Sequence, residues 1–257
     1  MPILIMRTLF ASTLLMALSE PTPQWYTFTV LIRLGFTGLL KPVELMKLRA
    51  EDVRPSQSEW EPRVPVHRLV EPKNKACLGR YQFTTIDEPE LVAWVEWLVK
   101  GMPPEAHLWP GSQALFTKHW KKSIATVGLG HLGLTPASLR PGGATAHFLL
   151  HRSIASLRIA GRWRAESSLE HYIQLTIAHL CLCQLSDDEH AYATELAQLT
   201  RQQWGTPPSL HSAAIFSCAR QCQAISRVAM KRSSSNGQGA SKVCAPPTFT
   251  PCRLQLE

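Results

Sequence analysis

Ala160-Gly161-Arg162-Trp163, followed nine residues beyond the tryptophan by Tyr172 in Leu169-Glu170-His171-Tyr172-Ile173, is the stretch on which the reading of this chain turns. Each residue alone has an ordinary explanation. A tyrosine on an amphipathic helix is usually a half-buried aromatic, and a lone Trp163 would be core. Working outward changes the weighing. Upstream stands Leu134-Thr135-Pro136-Ala137-Ser138-Leu139-Arg140, followed by the small residues Gly142-Gly143-Ala144-Thr145. Farther back come Lys73, within Pro72-Lys73-Asn74-Lys75, and Thr37-Gly38-Leu39-Leu40-Lys41-Pro42-Val43-Glu44-Leu45. Taken singly, Lys41 and Lys73 are solvated charges and Arg140 is a salt-bridge partner. Their fixed order and the last spacing turn those odds for the set.

Periodicity places these pieces on elements. Met1 to about Leu18 suits a helix, ended by Pro21 and Pro23, and Trp25 to Leu40 suits a second, buried one. Pro42 marks the first turn of a third helix, which carries Glu44, Leu45 and Leu48 and ends near Asp52. Between Val64 and Thr85 the pattern alternates (Val64, Val66, Leu69, then Tyr81, Phe83, Thr85), which predicts a small antiparallel sheet whose hairpin presents Lys73. Asp87 is expected to cap a helix with Leu91, Trp94, Trp97 and Leu98. From there to about Trp204 the chain reads as helices, punctuated by Pro103-Pro104, Gly128 to Pro136, and Gly161.

The motif order resembles the catalytic domain of the tyrosine recombinases, the phage-integrase family. The family pattern is a Thr-Gly-Leu-Arg-x-x-Glu-Leu type motif, a hairpin lysine, His-x-x-Arg, Gly-His or Gly-Trp, and a tyrosine nine residues on. Position by position, Lys41 stands where the first arginine belongs, Glu44 where its supporting acid belongs, and Lys73 at the hairpin lysine. Ala137 falls on the histidine, Arg140 on the second arginine, Trp163 on the His/Trp position and Tyr172 on the nucleophile. The resemblance spans about Trp25 to Leu180. It implies an α+β, mainly helical class: an integrase-like catalytic domain, the DNA breaking-rejoining fold, with a small antiparallel sheet. It divides the chain into an N-terminal helix and linker (1–24), a catalytic domain (25–204) and a basic tail (205–257).

What the resemblance implies chemically is attack of the Tyr172 oxygen on a DNA phosphodiester, leaving a phosphotyrosyl link that a second strand's hydroxyl resolves. The bond energy is stored in that link, so no cofactor and no metal are needed. Arg140 and Lys41 would hold the phosphate oxygens, Lys73 would protonate the departing sugar oxygen, Trp163 would support the pocket, and Glu44 would orient Lys41. Lys75, Arg80 and Arg162 are the basic residues expected to meet DNA. Two positions depart from the pattern. Lys41 keeps the charge without the guanidinium fork. Ala137 removes a donor whose loss typically costs ~10²–10³ in rate, with His131, His147 and His151 as candidates to replace it. A DNA-binding relic of the same fold that no longer cuts is therefore the rival reading, and a type IB topoisomerase shares the chemistry of the first.

Composition sets the outer limits. The chain has 257 residues, 45% hydrophobic and 18% charged, with a net charge of +8, which describes a globular protein and favours an anionic partner such as nucleic acid; that this partner is double-stranded DNA is what the resemblance implies. No uninterrupted apolar run is long enough to span a membrane. Seven cysteines without regular spacing give no disulfide framework, so a reducing, intracellular setting is expected, and the resemblance adds association with DNA, in the nucleus if the source is eukaryotic. His179, Cys181 and Cys183 are too tightly spaced for a zinc knuckle and read as ordinary thiols on a helix. Leu9 to Leu18 resembles a signal-peptide core, although Arg7 lies inside the apolar stretch rather than ahead of it; a secreted, disulfide-bonded protein is the third function class, and a helix belonging to the domain the plainer reading. After Trp204, Pro207-Pro208, Ser233-Ser234-Ser235 and six basic residues against Glu257 alone read as a disordered tail. Family members usually carry a helical DNA-clamping domain ahead of the catalytic one and work as oligomers on DNA. About two dozen residues precede Trp25, and Leu175, Ile177, Leu180 and Leu182 suit docking on a neighbour or on their own domain.

Overall fold

The structure is a computed structural model and describes residues 1–20, 22–54, 66–69, 82–86 and 88–203. The first helix, α1 (Ile3–Ser19), contains neither glycine nor proline and is buried on almost every side, with Ile5, Leu9 and Ala17 fully inaccessible. Its polar residues are buried too, and they are satisfied: the Thr8 hydroxyl lies 3.2 Å from the Ala193 carbonyl, and Ser12 donates to the Ser123 carbonyl at 2.7 Å. A buried hydroxyl is tolerated only with such partners. The stretch that looks like a signal-peptide core is therefore a structural helix packed into the domain.

Helix α2 (Pro23–Thr37) starts with proline in its first turn and buries Phe28, Val30, Leu31, Ile32 and Leu34 completely. It packs against α1, α4 (Pro89–Val99), α5 (Gln113–Thr126) and α6 (Leu139–His151). The contact with α6 depends on missing side chains. A Cβ on Gly143 would lie 2.0 Å from the Phe36 carbonyl oxygen, and one on Gly142 would lie 2.8 Å from the Met1 carbonyl oxygen. The Gly142-Gly143 pair thus lets α6 approach α2 closely enough to place Arg140 beside the end of α2 and the turn that follows.

Two boundaries differ from the expectation. The third helix, α3 (Pro42–Lys47), ends before Leu48, because the following backbone bonds elsewhere: the Leu48 carbonyl accepts from the Leu108 N–H, and Ala50 N–H donates to the Ala106 carbonyl. A 3₁₀ turn (Ala50–Asp52) replaces the last helical turn. The residue preceding α4 is Glu88, which also accepts from Arg33 at 2.7 Å; Asp87 lies outside the described residues.

The α+β class is corrected. The expected mainly helical character stands, and the small antiparallel sheet does not raise the molecule to a mixed class. Strand among the described residues amounts to β1 (Val53–Arg54), β2 (Val66–Leu69) and β3 (Gln82–Thr85), paired antiparallel in that order. Among the strand residues whose side chains are described, Val53 belongs to the helical core and Thr84 is buried with its hydroxyl on the Gly38 carbonyl. The alternation between Val64 and Thr85 is a local pattern, whereas helical periodicity runs through most of the chain.

After α5, the 3₁₀ turns Leu129–Leu132 and Pro136–Ser138 lead into α6, with Gly128 and Gly133 in the left-handed conformation at either end of the first. Trp120 fixes this connection by donating its indole N–H to the Leu134 carbonyl at 2.8 Å. Then come α7 (Ile154–Ala160), the single turn α8 (Ser167–Glu170), α9 (Leu175–Cys183) and α10 (Asp187–Gln203), the last lying along α1. No helix among the described residues is long and apolar enough to cross a membrane.

Candidate active site

Four separated pieces of sequence meet in a second, smaller cluster built on Leu39, Ala144, Leu157, Trp163 and Leu169, with Tyr172 and Ile173 packed against it. Arg140 enters from the first turn of α6 and is 6% exposed. Its Nη2 donates to the Gly161 carbonyl at 2.8 Å, and its Nη1 lies 3.6 Å from Glu44 Oε2. Glu44 comes from α3. The same Oε2 accepts from the Lys41 backbone N–H at 2.8 Å and faces Arg162 Nη2 at 3.4 Å. One carboxylate oxygen thus anchors the start of α3 and stands between two guanidinium groups.

The turn after α7 shapes the other wall. Gly161 has no room for a side chain, since a Cβ there would fall 1.6 Å from the Trp163 ring. Arg162 follows in the left-handed conformation, with φ +58°, which turns its side chain toward Glu44 and lets Trp163 fold back. Trp163 is buried. Its ring centre lies 4.9 Å from that of Tyr172, and the Arg140 guanidinium carbon lies 4.7 Å from the Trp163 ring centre and 5.5 Å from that of Tyr172. Arginine over indole is a favourable pairing.

The main chain around Tyr172 is held by Thr145 on α6. Its hydroxyl lies 3.2 Å from the Tyr172 carbonyl and 2.8 Å from that of Pro141, and it accepts the Gln174 N–H at 3.0 Å. A threonine in mid-helix that bonds a chain 27 residues away is acting as a clamp. Sequence reading passed over it as one of four small residues; the signal was a hydroxyl among glycines and alanine.

The electrostatics are unbalanced. Arg140 and Arg162 share one carboxylate, and both side chains are 8% exposed. Burial pushes the Arg162 guanidinium down to about 10, with Glu44 opposing the shift and Arg140 adding to it. Burial also lowers Arg140, against the pull of Glu44 and Tyr172. At about 10, Arg162 remains a cation at neutral pH. Arg140 Nε, Arg140 Nη1 and Arg162 Nη1 are buried and have no hydrogen-bond partner. Buried donors without a hydrogen-bond partner are rare and costly.

Of the residues singled out from sequence, Glu44, Arg140, Arg162, Trp163 and Tyr172 are brought together, and Lys41 stands at the start of α3 beside them. Arg162 is the one whose place differs: it faces Glu44 instead of lying on an open surface. Lys73, Lys75 and Arg80 lie outside the described residues. Ala137 is exposed on the turn before α6. Of the histidines considered as substitutes, His131 Nδ1 lies 3.9 Å from Glu189, while His147 bonds Ser156 and stacks with His151 at 4.3 Å between ring centres. Among the described residues no group of three or more His, Cys, Asp or Glu is placed to hold a metal ion, and Cys181 and Cys183 are free thiols. No family model matches the chain, and no curated protein or solved structure matches it either.

Proposed function

We propose that this chain breaks and rejoins DNA strands through a phosphotyrosyl intermediate, as the tyrosine recombinases do whose motif order it resembles. The observation that carries the reading is Tyr172 packed on Trp163 and within 5.5 Å of a buried guanidinium that shares its carboxylate with a second arginine. A hydroxyl nucleophile beside clustered, under-satisfied cations suits attack on a phosphodiester, where negative charge gathers on non-bridging oxygens. In the step itself the Tyr172 oxygen bonds to phosphorus as its proton passes to a water molecule. The bond from phosphorus to the sugar oxygen breaks, and Lys73 protonates the departing oxygen. Arg140 holds the phosphate oxygens, and Trp163 supports the ring of the nucleophile. Double-stranded DNA is the partner, met also by Lys75 and Arg80, with a homo-oligomer on DNA as the working form.

One observation favours the rival reading. Ala137, exposed where the family pattern has histidine, offers no donor, and Lys41 has no fork, which suits a DNA-binding relic. Trapping on nicked duplexes separates the two. Wild type should give a denaturation-resistant protein–DNA band that Tyr172→Phe abolishes. A band formed only by the double variant Lys41→Arg, Ala137→His would identify a disabled copy, and salt-sensitive binding without any band would identify the relic.

A further inference from the structure

We propose that Arg162 supplies the second guanidinium of a phosphate-binding site beside Tyr172, the role for which Lys41 lacks the fork; this rests on the strand-transfer reading of the site. Arg162 and Arg140 approach the same oxygen of Glu44, at 3.4 and 3.6 Å. One oxygen cannot satisfy two forks of donors. What is left over is Arg140 Nε and Nη1 and Arg162 Nη1, buried and without a hydrogen-bond partner, with Nη1 of Arg140 facing Glu44 only at ion-pair distance. Such a set is complementary to a tetrahedral oxyanion, which offers several acceptors at once.

The backbone gives an independent reason. Arg162 is held at φ +58°, a conformation that favours glycine and costs an L-residue with a Cβ. Strain retained at a charged residue whose side chain is more than nine-tenths buried points to use of that side chain. Its position also suits the role: it follows Gly161, whose carbonyl holds Arg140, and precedes Trp163, on which Tyr172 packs. The Arg140 guanidinium carbon lies 5.5 Å from the Tyr172 ring centre, which sets these donors beside the proposed nucleophile.

The test is titration calorimetry of inorganic phosphate into the full chain at constant ionic strength, with chloride as the control anion. Loss of a forked, charge-assisted contact should weaken phosphate binding about tenfold or more in Arg162→Gln and Arg162→Met. Arg162→Lys, which keeps the charge and is the variant to use if the neutral ones fail to fold, should fall between them and wild type. Binding within about twofold of wild type in all three would overturn the proposal, as would a wild-type chain that takes up no phosphate beyond the chloride control. The covalent-adduct assay keeps the two readings apart. Phosphate binding that depends on Arg162, with no adduct from any variant, leaves the anion site standing and removes strand transfer; an adduct formed at the wild-type rate by Arg162→Gln removes the inference and leaves strand transfer.

Discussion

The two apolar clusters of this protein are built on opposite terms. The larger one, around α2, closes on itself: Phe28, Leu31, Phe116 and Trp120 are almost inaccessible, and its buried hydroxyls on α1 find carbonyl partners. The smaller one, around Trp163 and Leu169, takes in two arginines on one carboxylate and leaves three of their nitrogens without partners. The three non-glycine residues held at positive φ among the described residues, Leu39, Arg152 and Arg162, all lie in or beside it. The first cluster is what a chain needs in order to fold. The second holds strain and buried charge, features that cluster at functional sites.

This contrast can be broken or sharpened by substitution. The largest effect is expected from Glu44→Gln. It leaves two buried guanidiniums without their counter-charge and should cost about 3–5 kcal/mol in chemical denaturation. In the larger cluster Leu31→Ala should cost about 2–5 kcal/mol by the ordinary cavity route, with no effect on phosphate binding at native temperatures. Gly143→Ala forces a methyl toward the Phe36 carbonyl and should destabilise by about 1–3 kcal/mol or more, while also loosening Arg140 at the start of α6. The smallest effect, and the most telling, is Arg162→Met. The folded-state pKa of Arg162 lies below its unfolded value, so the unfolded chain binds the proton more tightly and the charged form opposes folding. Removing it should leave the melting temperature unchanged or raise it. Because the wild-type penalty is fully present below about pH 10 and is relieved as pH rises above it, the advantage of the Met variant should shrink in denaturation curves taken from pH 9 toward 12. A clear loss of stability in Arg162→Met at neutral pH would make the second cluster as structural as the first.

How legible was this in the sequence? The helices were, because apolar residues at helical spacing and the prolines at 21, 23 and 42 mark their extents from local chemistry alone. The class was legible in part. Helical spacing over most of the chain marks it as mainly helical, whereas the alternation between Val64 and Thr85 suggests a small antiparallel sheet and carries no measure of what that sheet contributes to the fold. The site was legible as far as its residue types go: Glu44, Arg140, Trp163 and Tyr172 were singled out by order and spacing. The place of Arg162 was hidden, since it depends on a left-handed turn set up by Gly161 packing under Trp163, a tertiary contact. Thr145 was hidden for the same reason, its partners lying across the fold at Tyr172 and Gln174.

The account stands most directly on the identity of the nucleophile. Wild-type protein would be incubated with nicked duplexes of randomised sequence, the covalent complex isolated under denaturing conditions, digested with protease and nuclease, and the modified peptide sequenced by mass spectrometry. The account predicts a nucleotide phosphate on Tyr172. A modification on any other residue, or no covalent complex from wild type or from Lys41→Arg, Ala137→His, would contradict it.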